Sequence, residues 1–303
     1  MWFWFSILAL LCWSGSDLFS KIGCRDESDK YSHLKMLAAV GFVMGLHALW
    51  SLLFGGVTIT GKTVLTYLPV SALYILSMAV GYLGLRYIEL SISSPICNSS
   101  GAIVAVLAIL TVGVTADTPP VAFAAIALIS LGVIFLGIVE AREDDELRAA
   151  RQDKANRRYT KSVFAILLPV IYCLLDALGT FADSLVLQKL DEEAANCAYE
   201  LTFLTVGLVS FVYVVCVKKQ KLLPEQELPK YGGAVFETVG QFFYILALAD
   251  TEHVAFAAPI ISSYCIVSVL WSSAFLRERL SKKHYAALAL VIVGIVILGV
   301  LDI

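Results

Sequence analysis

Long apolar runs alternate with short polar breaks along the whole chain. Ten runs can be counted, at about residues 2–22, 34–54, 67–87, 94–113, 121–139, 162–182, 195–217, 231–249, 254–275 and 284–301. Each is near the ~20 residues that a helix rising ~1.5 Å per residue needs to cross a ~30 Å hydrocarbon core. The ten-residue alternating strands of an outer-membrane barrel do not occur in the sequence. Turn and charge signals separate the runs, at 24–30, Gly55-Gly56, 117–120, 218–221 with Pro224, and 277–283. The pattern predicts an all-α integral membrane protein with ten transmembrane helices.

The longest polar segment, 140–161, opens acidic (Glu143 to Glu146) and closes basic (Arg157, Arg158, Lys161). It divides the runs five and five. The predicted organisation is a first five-helix repeat over 1–139, a charged cytoplasmic linker over 140–161 with a short amphipathic surface helix, and a second five-helix repeat over 162–303. The halves echo one another. Ala125, Gly132 and Gly137 recur as Ala287, Gly294 and Gly299, 162 positions on; Pro95 recurs as Pro259, 164 positions on. Phe5-x-Ile7-Leu8 recurs as Phe164-x-Ile166-Leu167, 159 positions on. Glycines and a proline in matching order read as an internal duplication. An odd number of spans per repeat makes the second enter the membrane from the opposite side, so the repeats are expected to be inverted.

Composition agrees with a membrane chain. It is 59% hydrophobic and 16% charged, where a soluble domain carries about a quarter charged residues. The net charge of −3 implies no nucleic-acid partner. None of the seven cysteines forms a C-x-x-C pair, and the four histidines are dispersed, so no metal or cofactor is expected. The first run ends in Asp17 and Lys21 and not in a small-residue cleavage site, which reads as a retained span. Of the 22 Lys and Arg, all but Lys62 and Lys189 fall on one side of the ten-span layout. The positive-inside rule then puts the basic loops in the cytoplasm and both termini outside. The expected location is the plasma membrane, of the bacterial inner-membrane type.

These residues carry a resemblance. Two five-span halves, Tyr244-x-x-Ala247-Leu248 ahead of Pro259, and Glu278-Arg279-Leu280-Ser281 before a last span bearing Gly294 resemble the EamA-type drug/metabolite transporter superfamily. The first half departs from it, with Ala116-Asp117-Thr118-Pro119-Pro120 where the family often has a Glu-Arg-Leu turn. The resemblance implies alternating access around a central cavity lined by both repeats, and a small-molecule substrate such as an amino acid, drug, nucleotide sugar or other metabolite.

Ionisable groups inside spans are costly and mark candidate sites. The 159-residue offset aligns Trp13 with Tyr172 and Asp17 with Asp176, so spans one and six each offer an aromatic with a carboxylate one turn on. The competing reading of Asp17 is an ion pair with Lys21. Glu237, Gln241 and Tyr244 share a face of span eight, and Tyr82 on span three joins the aromatic set. Asn98 and Ser262 lie three residues after Pro95 and Pro259. A proline frees a carbonyl one turn back that needs a partner in a membrane. These residues, with Tyr264, serve there as hinge, substrate contact or packing. Glu200 reads as interfacial, Asp183 as exposed at the end of span six, and His47 as a satisfied interior histidine. The two glycine pairs allow close helix packing.

Carboxylates outnumber cations among these candidates, which favours cationic or zwitterionic solutes and protons as the coupling ion. No P-loop is present, so ATP drive within the chain is not expected. The expectation is a secondary active transporter, not an enzyme, and a monomer in the bilayer. The alternatives are a uniporter or exchanger for neutral or anionic metabolites, or a non-transporting membrane partner.

Overall fold

The computed structural model describes residues 1–24, 26, 28–87, 90–111, 113, 119–141, 163–276 and 280–301. The described chain is helical throughout, in the order α1 (Trp2–Cys24), α2 (Ser32–Leu53), α3 (Gly61–Gly84), α4 (Leu90–Asn98), α5 (Ser100–Thr111), α6 (Pro120–Ala141), α7 (Val163–Val186), α8 (Glu192–Val212), α9 (Pro224–Leu248), α10 (Val254–Ser262), α11 (Tyr264–Leu276) and α12 (Lys282–Leu301). A π-helical turn (Tyr213–Val217) extends α8, and a 3₁₀ turn (Thr251–His253) precedes α10. The linker helix expected within 140–161 lies outside the described residues.

Local chemistry sets several helix ends. Thr60 caps α3 by a capping box with Thr63, and Asp191 caps α8 by accepting from the Ala194 amide at 3.0 Å. Pro224 opens α9, where its missing N–H costs nothing. Two spans are interrupted. The fourth breaks between Asn98 and Ser100, the ninth between Ser262 and Tyr264, each just after its proline. Side chains take up the carbonyls freed there: Asn98 Nδ2 donates to Ser94 O at 2.7 Å and Ser99 Oγ to Pro95 O at 2.9 Å. At the second break Ser263 donates from its amide to Pro259 O at 3.1 Å and from Oγ to Ile260 O at 2.5 Å.

Among the described residues, eight segments are long and apolar enough to cross a membrane, the two interrupted spans counting once each. Ten spans were expected. The remaining helices, α9 with 25 residues and α12 with 20, pack along α1 and α6. α9 begins seven residues before its apolar run and brings Glu225, Glu227 and Lys230 into the helix. Leucines, valines and aromatics such as Leu46, Trp50, Leu110, Phe275 and Val300 stay exposed around the bundle, the surface that lipid covers.

The helices pack in specific pairs: α1 on α9, α2 on α8, α3 on α7, α5 on α10, and α6 on α12. The last pair meets at glycines. A Cβ on Gly132 would stand 3.1 Å from Ala287 O, and one on Gly294 would stand 2.8 Å from Ala125 O. Aromatic rings lie on two other glycines: Trp13 of α1 on Gly240 of α9, and Tyr172 of α7 on Gly81 of α3. Both the two rings and the two glycines are 159 positions apart.

The basic residues gather at one end. Arg86 reaches the Lys30 carbonyl, and Lys21 Nζ donates to Leu85 O at 3.0 Å. Lys35 and Lys230, the second of which the sequence places in a loop, are buried there and share two carboxylates. Both cations lie 3.0 Å from Asp29, and Lys35 lies 3.0 Å from Glu227. Lys230 is drawn inside because α9 starts earlier than its apolar run and the two acids neutralise it.

Candidate functional site: a central cavity lined by carboxylates

The broken spans and α1, α3, α7, α8 and α9 enclose a central cavity of about 80 Å³, room for on the order of six waters at ~10–15 Å³ each. Trp13, Asp17, Tyr82, Asn98, Tyr172, Asp176, Glu237, Gln241, Tyr244, Ser262 and Tyr264 all line it. The fold therefore brings every candidate residue of the sequence to one space.

Three carboxylates face this space, and each is held by hydroxyls. Asp17 Oδ2 accepts from Ser94 of α4 at 2.5 Å and from Ser268 of α11 at 2.9 Å. Asp176 Oδ2 accepts from Ser100 of α5 at 2.7 Å. Glu237 Oε2 accepts from Ser16 of α1 at 2.7 Å. No Lys, Arg or His is among the described residues that line the cavity. Buried anions without a cation draw positive charge, because burial weakens screening and raises the cost of leaving them uncompensated.

Four buried polar atoms of the lining residues have no hydrogen-bond partner among the described residues: Trp13 Nε1, Gln241 Nε2, Tyr82 Oη and Ser20 Oγ. Indole and amide N–H groups are donors only, so they call for acceptors. Trp13 also packs at a tilt on Tyr244, 4.9 Å between ring centres, and meets Tyr264 edge-on at 5.9 Å. The cavity thus gathers carboxylates and aromatic side chains in one place.

Two readings from the sequence change, and the competing reading of Asp17 gives way to its cavity one. Asp183 is not exposed at the end of its span. Its carboxylate is fully buried, because α7 continues to Val186 and Tyr67 of α3 donates to it at 2.7 Å. Beside it Tyr74 and Tyr244 share a hydroxyl–hydroxyl bond, and Tyr244 also donates to Thr180 at 3.1 Å. Tyr74, Thr180 and Tyr244 of this network form one wall of the cavity. Glu200 is not interfacial either. Its side chain is fully buried and bonds His47 Nδ1 at 2.8 Å and Asn196 Nδ2 at 3.1 Å, which satisfies His47 in turn. Asp17 has the serines above as partners, while Lys21 points to Leu85 O.

The carboxylate-bonded serines 16, 94 and 268 were not singled out in the sequence. Ser94 directly precedes Pro95 and Ser268 follows Tyr264 by one turn, so the signal was a hydroxyl at helical spacing from each proline break.

The fold is shared with solved proteins. One, described only as a crystal structure of a protein, superposes with a TM-score of 0.66 over 99% of this chain and 96% of its own, at 12% sequence identity. No curated protein matches the sequence. The EamA-like transporter family matches residues 163–300. The second half of the chain is thus similar to the EamA-like transporter family, which is part of the drug/metabolite transporter superfamily.

Proposed function

We propose that the protein is a secondary active transporter of small organic cations or zwitterions, working by alternating access with protons as the coupling ion. The observation that carries this is the cavity lining: Asp17, Asp176 and Glu237 without a basic residue among the described lining. Amines and amino acids carry the positive charge that such a lining favours.

The mechanism rests on two inverted five-helix repeats, 1–139 and 162–303, joined by a cytoplasmic linker. Exchanging each span with the one five later turns the α1–α9 pair into the α7–α3 pair and leaves the other packing pairs unchanged. The matched ring-on-glycine contacts of Trp13 and Tyr172 support the same symmetry. In this arrangement Asp17 and Asp176 lie on opposite sides of the midplane, and rocking one repeat against the other exposes them in turn. Both termini face outward from the plasma membrane, and a monomer contains the whole route.

The test is current and flux across proteoliposomes for cationic, zwitterionic, neutral and anionic metabolites, with and without a pH gradient. Inward current with cations or zwitterions that Asp176→Asn abolishes is the expected result. Flux of neutral or anionic solutes alone overturns the carboxylate reading and leaves the transporter family standing.

A further inference from the structure

Asp183 is a buried carboxyl group that the transport cycle proposed above does not use. It sits behind the wall of the central cavity: Tyr74, Thr180 and Tyr244 line that space, while Asp183 and Tyr67 do not. The titratable groups that face it are Tyr67 and Tyr74 of α3, Tyr244 of α9 and Tyr199 of α8, with Asp176 about two turns back on its own helix. Of the other helices packed on α7, α4 brings only Cys97 and α5 no titratable group. Lys62 and Lys189 are exposed, and no cation pairs with Asp183 among the described residues.

The protons of this network can be counted, since each hydroxyl owns one. Tyr67 gives its proton to Asp183 Oδ1 at 2.7 Å. Tyr244 gives its proton to Thr180 at 3.1 Å. The Tyr74–Tyr244 bond must then use the proton of Tyr74. That leaves the contact between Tyr74 Oη and Asp183 Oδ2, at 3.4 Å, with nothing to fill it unless Asp183 carries a proton itself. With Asp183 protonated, Oδ2–H donates to Tyr74, Tyr74 to Tyr244 and Tyr244 to Thr180, one proton per link. With Asp183 ionised, all three links run the other way, from Thr180 towards the carboxylate. The two charge states of one carboxyl group are the two directions of one hydroxyl chain, and that chain ends at the cavity lining.

We propose that Asp183 is a proton-binding site loaded from the central cavity through Thr180, Tyr244 and Tyr74. A proton from cavity water enters at Thr180, and each hydroxyl accepts one proton as it passes its own along. The hydroxyls end neutral, as they began, and the carboxylate becomes a carboxylic acid. Tyr67 holds Oδ1 in both states. The Tyr74–Asp183 link is longer than the ~2.5–3.0 Å of a made O–H···O bond, so its closure is the step that admits the proton. This inference rests on the reading of protons as the coupling ion. It seats that proton apart from Asp17, Asp176 and Glu237, which stay free to meet the solute.

The experiment is infrared difference spectroscopy of the full chain in liposomes, between alkaline and acid buffer, read at the C=O stretch of protonated carboxyl groups. The probe is the proton alone, so the result does not depend on which solute crosses. A band that appears on acidification, survives Asp17→Asn and Asp176→Asn, and vanishes in Asp183→Asn is the expected result. Tyr67→Phe raises the frequency of the same band, because Oδ1 loses its donor, and so identifies it even if Asp183→Asn does not fold. Tyr74→Phe keeps the band at equilibrium, but after a pH jump the band rises about tenfold more slowly, because one link has no proton to pass. A carboxyl group that never changes charge gives no such band and overturns the proposal. So does a band that ignores both Asp183→Asn and Tyr67→Phe, or a rise time that Tyr74→Phe leaves unchanged. Solute flux without proton coupling, beside an intact Asp183 band, removes the coupling-ion reading and leaves the proton site standing.

Discussion

Tyr67 and Asp183 stand 116 positions apart in the chain and 2.7 Å apart in the fold, the phenol donating to Oδ1. Neither is accessible to solvent. Tyr67→Phe leaves a buried carboxylate short of a donor and lowers stability by about 1.5–3 kcal/mol. Thermal unfolding in detergent reads this as a lower midpoint. Tyr244→Phe, which removes the neighbouring hydroxyl bridge to Tyr74 and Thr180, loosens the same network. Labelling of Cys97 in the cavity by an impermeant thiol reagent from the side away from the basic end then speeds up, identified by peptide mass spectrometry. Unchanged labelling would show that the tyrosines do not seal the cavity.

Asp176 holds one hydroxyl and Asp17 holds two. Neutralising either removes a charge that a bound cation would meet directly. Asp176→Asn is expected to slow cation uptake by about 10- to 150-fold, the equivalent of a charge-assisted hydrogen bond of about 1.5–3 kcal/mol. Initial rates in proteoliposomes measure it. Neutral solutes should be affected far less.

Gly132 and Gly294 let α6 and α12 approach until backbone oxygens face the glycines. Gly294→Ala drives a methyl against Ala125 O and costs about 1–3 kcal/mol. Val293→Ala, on the exposed face of the same helix, changes stability little. Equal losses for both variants would refute the close contact.

Lys35, Lys230, Asp29 and Glu227 form a buried, charge-balanced group at the basic end. Lys230→Met unbalances it and costs about 3–5 kcal/mol. Adding Asp29→Asn restores part of this loss, so the two changes together cost less than their sum. A double-mutant cycle on thermal stability provides the number.

Cys216 is exposed in the π-helical turn next to Lys218 and Lys219. With the basic end in the cytoplasm, an impermeant maleimide modifies it in inside-out vesicles and not in right-side-out ones. The reverse pattern would place both termini inside.

Much of this was legible in the chain. The apolar runs locate most of the helices to within a few residues, because a lipid-facing helix must be apolar along its length, while α3 and α9 start six and seven residues before their runs. Pro95 and Pro259 locate the breaks, but proline alone does not. Pro69, Pro169 and Pro229 sit inside unbroken helices. What distinguishes the two breaks is the polar pair that follows, Asn98-Ser99 and Ser262-Ser263, of which Asn98, Ser99 and Ser263 take up backbone carbonyls at the break. The offset of 159 joins Trp13 to Tyr172 correctly in role, since each covers a glycine on the matching helix. Asp183 and Glu200 read differently in the sequence and in the fold for one reason. Each sits near the end of its apolar run, and its partner, Tyr67 or His47, lies more than a hundred positions away. Local pattern says how polar an edge is. It does not say what folds over it.

The interrupted fourth span touches both aspartates. Ser94, before the break, holds Asp17 of α1, and Ser100, after it, holds Asp176 of α7. One interrupted segment thus bridges two remote carboxylates. Under the proposed alternating-access cycle, a tilt of its first arm away from Asp17 would be carried along the backbone to the second arm at Asp176, a lever that needs no chain of charges between the two.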